Sequence, residues 1–134
     1  MIPVIEVYKE LNGNEKLNML LDKLRGKKLD EQTIYRIRIP EMYQKKEFAP
    51  LVKVDPIDSY GALYADDRRT ATTAEIQVSL SVVELVHLDE LQKVIDEIMY
   101  LMGYEQYAEA TYEDADVEGI TFSARRYRSN EPIE

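Results

Sequence analysis

Residues 75–82 read Glu75-Ile76-Gln77-Val78-Ser79-Leu80-Ser81-Val82. Apolar and polar side chains alternate there without a break, the period of a strand with one buried face. Downstream the period changes. Leu91, Val94, Ile95, Ile98, Met99 and Met102 recur at helical spacing, and Gly103 closes the run. Asp89, with Gln92 following as in a capping box, places the expected start of this helix. At about 1.5 Å per residue it reaches roughly 20 Å, enough to cover a sheet.

Two strands follow the helix. Ala108, Ala110 and Tyr112 alternate with Glu109, Thr111 and Glu113, and Ile120, Phe122 and Ala124 alternate with Thr121, Ser123 and Arg125. The polar stretch 114–119 between them reads as a hairpin loop. Residues 129–134 are expected to form a flexible tail.

Upstream of Glu75, residues 57–73 show no clear period, and a loop so long in a small domain usually has a task. Leu51 to Val54 reads as a short strand bracketed by Pro50 and Pro56. From Thr33, Tyr35, Ile37 and Ile39 alternate with Ile34, Arg36 and Arg38 until Pro40, a further strand. The chain opens with two helices. Val4, Val7, Tyr8 and Leu11 mark the first, and Leu17, Leu20, Leu21 and Leu24 the second. Asn14 is the expected N-cap of the second helix and Gly26 its stop.

This order predicts an α+β fold: a mainly antiparallel sheet of about five strands with helices packed on one face, forming a single domain over residues 1–134. An apolar share of 45% is ordinary for a folded domain. No stretch approaches the roughly 20 apolar residues of a membrane span. Met1-Ile2-Pro3-Val4 has no basic leader, so the expectation is a chain made and kept in the cytoplasm. A net charge of −9 disfavours general binding to phosphate backbones.

The search for chemistry begins with what is missing. The sequence has no cysteine, which excludes thiolate nucleophiles, thiolate metal sites and disulfides. It contains no phosphate-cradling glycine motif and no nucleophile elbow. His87 is the only histidine, and no nucleophile or orienting acid at a suggestive spacing accompanies it. Asp114-Ala115-Asp116-Val117-Glu118-Gly119 opens like a calcium loop, but the later bidentate acid is absent and the flanks read as strands. These readings predict no catalytic residue, no metal site and no cofactor.

Charged groups remain as candidates for protein contact. Asp66, Asp67, Arg68 and Arg69 lie in the long loop, and read either as a subunit contact or as a solvated tip. Arg125, Arg126 and Arg128 concentrate positive charge near the end of an acidic chain. Arg36 and Arg38 do the same on the first strand. Each set reads as a solvated strand end or as a patch that meets an acidic neighbour.

The leading helices, the strand Ile34-Tyr35-Arg36-Ile37-Arg38-Ile39-Pro40, the proline-bracketed strand and the irregular loop follow one another in a familiar order. Glu75-Ile76-Gln77-Val78-Ser79-Leu80, the helix to Gly103 and the hairpin closing on Ile120-Thr121-Phe122-Ser123-Ala124-Arg125-Arg126-Tyr127 complete it. Over nearly its whole length the chain resembles the tail terminator, or tail-completion, proteins of bacteriophages with long non-contractile tails. The resemblance lies in element order, length and a loose pattern.

It implies a ring-shaped homo-oligomer, a hexamer, that caps the tail tube, ends its elongation and joins it to the head. The implied partners are other copies of the chain, the tail tube protein and a head-completion protein, with DNA only passing through the lumen and no membrane. The implied place is the virion tail. A head-completion or connector protein has similar size and also forms rings. Two other classes stay open: an acidic regulatory module that covers a basic partner, and a small hydrolase or isomerase built on His87.

Overall fold

A computed structural model describes residues 3–28, 33–57, 64–65, 68–69, 74–113 and 119–129, with the backbone alone described at 64–65 and 68–69. Helix α1 spans Pro3–Gly13 and α2 spans Glu15–Arg25. Val4, Val7 and Leu11 are buried on α1, and Leu17 and Leu21 on α2, as their spacing requires. Asn14 caps α2, its Oδ1 accepting from the Leu17 N–H at 2.8 Å. Gly26 ends it at φ 83°, a left-handed conformation that a Cβ would disfavour.

Asn18 holds the junction of the two helices. Its Nδ2 donates to the carbonyls of Leu11, Asn12 and Asn14 at 3.3, 3.0 and 2.8 Å. Two of these belong to the last turn of α1, whose carbonyls have no helical partner of their own.

The strands are β1 (Ile34–Arg36), β2 (Leu51–Pro56), β3 (Tyr64–Ala65), β4 (Arg68–Arg69), β5 (Glu75–Val82), β6 (Tyr104–Glu113) and β7 (Thr121–Ser129). Helix α3, Leu85–Leu101, connects β5 to β6. Five strands form one sheet in the order β1-β2-β5-β7-β6. β1 runs parallel to β2, and every other neighbouring pair is antiparallel. The fold is α+β, with a mixed and mostly antiparallel sheet.

All three helices lie against one face. Val52, Val54, Ile76, Val78, Leu80 and Val82 from the sheet share one core with Val7, Leu11, Leu17, Leu21, Leu91, Ile95 and Met99. Each fully buried aliphatic side chain of this kind stabilises by about 1.5–3 kcal/mol. On the opposite face, among the described residues, cover comes from the segment 39–49, which lies over the β1–β2 end and borders a pocket that reaches Ser81 of β5 and Phe122 of β7. There Tyr35, Ile39 and Leu51 pack with Tyr43 and Phe48 from two 3-10 turns, Glu41–Tyr43 and Lys46–Phe48.

Arg25 ties α2 to this segment. Its side chain is 0% exposed, Nε donates to the Phe48 carbonyl at 3.0 Å, and Nη2 donates to that of Pro50 at 2.8 Å. Burial lowers its pKa, and the Asp22 carboxylate, 3.0 Å from Nη1, works against that shift.

Four expectations are corrected. The strand expected from Thr33 to Ile39 ends at Arg36, because Ile37 adopts φ 64° and turns outward, 59% exposed. A β-branched residue in that region breaks the alternation. Helix α3 begins at Leu85, not Asp89, with Glu84 at the N-cap position and no side-chain capping bond. Asp89 instead pairs with Lys93 one turn on, at 3.1 Å. Ser129 is no part of a loose tail: its N–H donates to the Ala74 carbonyl at 2.9 Å and its Oγ accepts from the Ala74 N–H at 3.1 Å. Within 57–73, β3 and β4 pair as a small antiparallel ladder, Tyr64 with Arg69 and Ala65 with Arg68.

Candidate functional site

The densest polar cluster sits between α3 and the sheet. The register places Thr121, Ser123, Arg125 and Tyr127 of β7 beside Val82, Leu80, Val78 and Ile76, on the face that carries the helices. Arg125 points into that layer. Its Nε and Nη2 donate to the two carboxylate oxygens of Asp96 on α3, at 2.8 and 2.5 Å. Nη1 donates to Glu109 of β6 at 2.7 Å. The Tyr127 hydroxyl donates to Asp96 Oδ1 at 2.5 Å. Gln92 donates to Glu109 and, at 3.2 Å, to Ser123.

The electrostatics follow from this geometry. The hydrogen bond to Asp96 raises the Arg125 pKa above its ordinary value, outweighing desolvation. Burial, and then the bond to Asp96, raises that of the Tyr127 phenol. The Asp96 carboxylate thus accepts three hydrogen bonds and neutralises a largely buried cation. Arrangements of this type fix one element against another. The cluster locks α3 to β7 and β6, and Arg125 is directed inward, not toward a neighbouring molecule.

Arg126 and Arg128 are both exposed and occupy the other face of β7. Arg126 Nε donates to Gln77 Oε1 at 3.1 Å, and Gln77 Nε2 donates to Ser79 Oγ at 3.1 Å. The Arg128 guanidinium stands 4.7 Å from the Tyr107 ring centre. Burial, followed by the charge of Glu75, pushes the Tyr107 phenol up. Ser79, Ser81, Ala124, Ala110 and Ala108 give the middle of this face small side chains. The result is a surface with cations along one margin and no described helix over it.

At the β1 end of the sheet, Arg36 and Arg38 are exposed. The Arg36 guanidinium lies 4.9 Å from the ring centre of Tyr8 on α1, so the charged group itself stacks on the aromatic face. Arg68 and Arg69 belong to β4. Asp66 and Asp67 lie outside the described residues, as does the calcium-like stretch 114–118.

His87 falls within the first turn of α3, its Nε2 3.6 Å from the Glu84 carboxylate, too long for a hydrogen bond. It borders an open groove with Arg25, Lys45, Lys46 and Glu47. Among the described residues no group of three His, Cys, Asp or Glu side chains could hold a metal ion. No described helix is long and apolar enough to cross a membrane.

Sequence reasoning missed two features. The Arg125–Asp96–Tyr127 cluster joins residues 29 and 31 positions apart, and no local pattern announces it. The other is the outer edge of β6, ten residues long, which bears the exposed acids Glu105, Glu109 and Glu113. Glutamates at every fourth position of the last-but-one strand signalled it, yet only strand order shows that β6 is an edge. No protein-family model matches the chain, and no curated protein matches it.

Proposed function

We propose that this chain is a structural subunit of a phage-type tail: a tail terminator whose ring caps the tube, stops its growth and joins it to the head. The observation that carries the reading is the one-sidedness of the sheet. All three helices lie on one face, while the other, with small central side chains and Arg126 and Arg128 at its margin, is covered among the described residues by the segment 39–49 alone. A subunit that must touch ring neighbours and the tube needs broad surfaces more than it needs a cleft. The reading rests as well on the resemblance in the sequence.

The test is tube length. In an assembly reaction that contains tube protein, adding the chain should stop elongation at a set length, and omitting it should give tubes of unregulated length. Tubes of normal length without the chain, but heads that fail to join them, would favour a head-completion role. A tight complex with a basic protein, with no effect on tubes, would favour a regulatory module.

A further inference from the structure

Leu51 of β2, Ser81 of β5 and Phe122 of β7 stand side by side on the face away from the helices. The pocket beneath segment 39–49 opens there. It measures about 110 Å3, and Ile39, Leu51, Ile120 and Phe122 give it an apolar wall. Lys45 and Lys53 bring positive charge to the same lining. Lys53 stands 3.4 Å from Asp55, whereas Lys45 is exposed and has no ion-pair partner among the described residues. Arg25 holds one side of the pocket in place through the Phe48 and Pro50 carbonyls, at 3.0 and 2.8 Å. A pocket of this size suits one branched aliphatic side chain, since an apolar cavity of about 150 Å3 already holds a benzene ring. A wall fixed beforehand also spares the occupant the cost of ordering it.

The sequence supplies a complement. Beyond β7, Glu131-Pro132-Ile133-Glu134 sets one branched aliphatic side chain between two carboxylates. Pro132 restricts the backbone beside it, so less freedom is lost when such a segment is held. These residues lie outside the described ones. Reach decides whose pocket they can enter. Phe122 and Ser129 are seven residues apart on β7, about 23 Å at the rise of a strand. Ser129 is fixed at its end of the strand by its two bonds with Ala74. From Ser129 to Ile133 there are four residues, which span at most about 14 Å. Ile133 therefore falls short of the pocket in its own subunit.

We infer that segment 131–134 of one copy occupies this pocket in a second copy of the chain. Ile133 enters against Ile39, Leu51, Ile120 and Phe122, and Glu131 and Glu134 lie beside Lys45 and Lys53. The segment leaves from one end of β7 and the pocket lies at the other, so the contact joins unlike ends of two molecules. The inference needs a second copy and not a closed ring. Segments handed on from copy to copy would join a ring, and a reciprocal exchange would close a dimer.

The test has two readings, both on the full chain. The first uses Ile133→Asp, labelled at its isoleucine and leucine methyl groups, as the receiver, because its own segment no longer fits the pocket. A peptide copying residues 129–134, at millimolar concentration, should shift the methyl signals of Ile39, Leu51 and Ile120. The same peptide with Ile133→Asp should need at least about ten times more for equal shifts, since a carboxylate is costly in an apolar wall. The second reading is sedimentation velocity, in which Ile133→Asp and, separately, Lys45→Glu should each weaken self-association at least about tenfold relative to wild type. Lys45→Glu alters an exposed side chain and keeps the test open should the other variant fail to fold. A peptide that shifts none of these methyls overturns the inference. So does a wild type that associates no better than the two variants, which would leave the ring reading with another interface. A wild type that stays monomeric also overturns it, and the tube-length experiment then decides the ring reading separately. A dimer that both variants disrupt would support the exchange and count against the ring.

Discussion

Arg125 on β7 and Asp96 on α3 form a two-pronged ion pair, Nε and Nη2 each donating to a different carboxylate oxygen at 2.8 and 2.5 Å. The arginine side chain is 15% exposed and the aspartate 37%. Asp96→Ala would leave the cation with Glu109 alone and the Tyr127 hydroxyl without its acceptor. Breaking a fully buried pair costs about 3–5 kcal/mol, and the exposure of Asp96 lowers the expected loss to about 2 kcal/mol. Urea denaturation measures it, and a loss below about 0.5 kcal/mol would show that the pair does not hold α3 in place.

Tyr127 links the same cluster to alkaline pH. Burial and the bond to Asp96 raise its folded pKa above the unfolded value of about 10. Its stabilising contribution is therefore fully present below about pH 10 and is lost as pH rises beyond it, because the unfolded chain releases the proton first. Tyr127→Phe should cost about 1 kcal/mol at neutral pH and make the fall in stability above pH 10 less steep. Tyr104, also raised by burial, keeps part of the slope. Denaturation midpoints at pH 8 and about 10.5 give the comparison.

Arg25→Ala should loosen the segment that crosses the second face of the sheet. The substitution leaves the Phe48 and Pro50 carbonyls without their donor, and its expected cost is about 2–3 kcal/mol. Amide exchange should rise most in residues 43–50. Uniform faster exchange over the whole chain would mean that Arg25 supports global stability instead.

Two glycines should respond in opposite directions to alanine. Gly26 sits at φ 83° with open space where a Cβ would stand, so Gly26→Ala should lose about 1 kcal/mol through backbone strain alone. Gly13, in the last turn of α1 with open space around it and no positive φ, should gain up to about 0.5 kcal/mol. Thermal midpoints of the two variants check the sign.

The parts of the fold that local chemistry determines were legible in the sequence. Asn14 and Gly26 bound α2 as expected, since capping depends on a few neighbouring residues. β5 follows its alternation from Glu75 to Val82. What failed depended on distant partners. The apolar residues Leu85 and Val86 sit in the first turn of α3, yet are 63% and 62% exposed, so they offered no periodic signal for the helix start. Ile37 broke its strand by a backbone conformation that β-branched residues seldom adopt. On β7 the helix-facing side carries Thr121, Ser123, Arg125 and Tyr127, and α3 satisfies three of them: Asp96 accepts from Arg125 and Tyr127, and Gln92 donates to Ser123.

Of the candidate contact residues, the sequence marked the charges but not their directions. Arg125 turns inward to Asp96, Arg126 and Arg128 stand on the face opposite the helices, and Arg36 and Arg38 mark the β1 end. Sequence position alone cannot distinguish these three fates for five arginines, since each depends on which strand lies next in the sheet.

The central claim is that this chain builds a closed ring by contacts between unlike surfaces. Its most direct test is the mass of the purified protein by light scattering over a range of concentrations. A ring of six 15.6 kDa subunits predicts a discrete species of about 94 kDa. A monomer at every concentration, or a two-fold dimer that grows no further, would contradict the account.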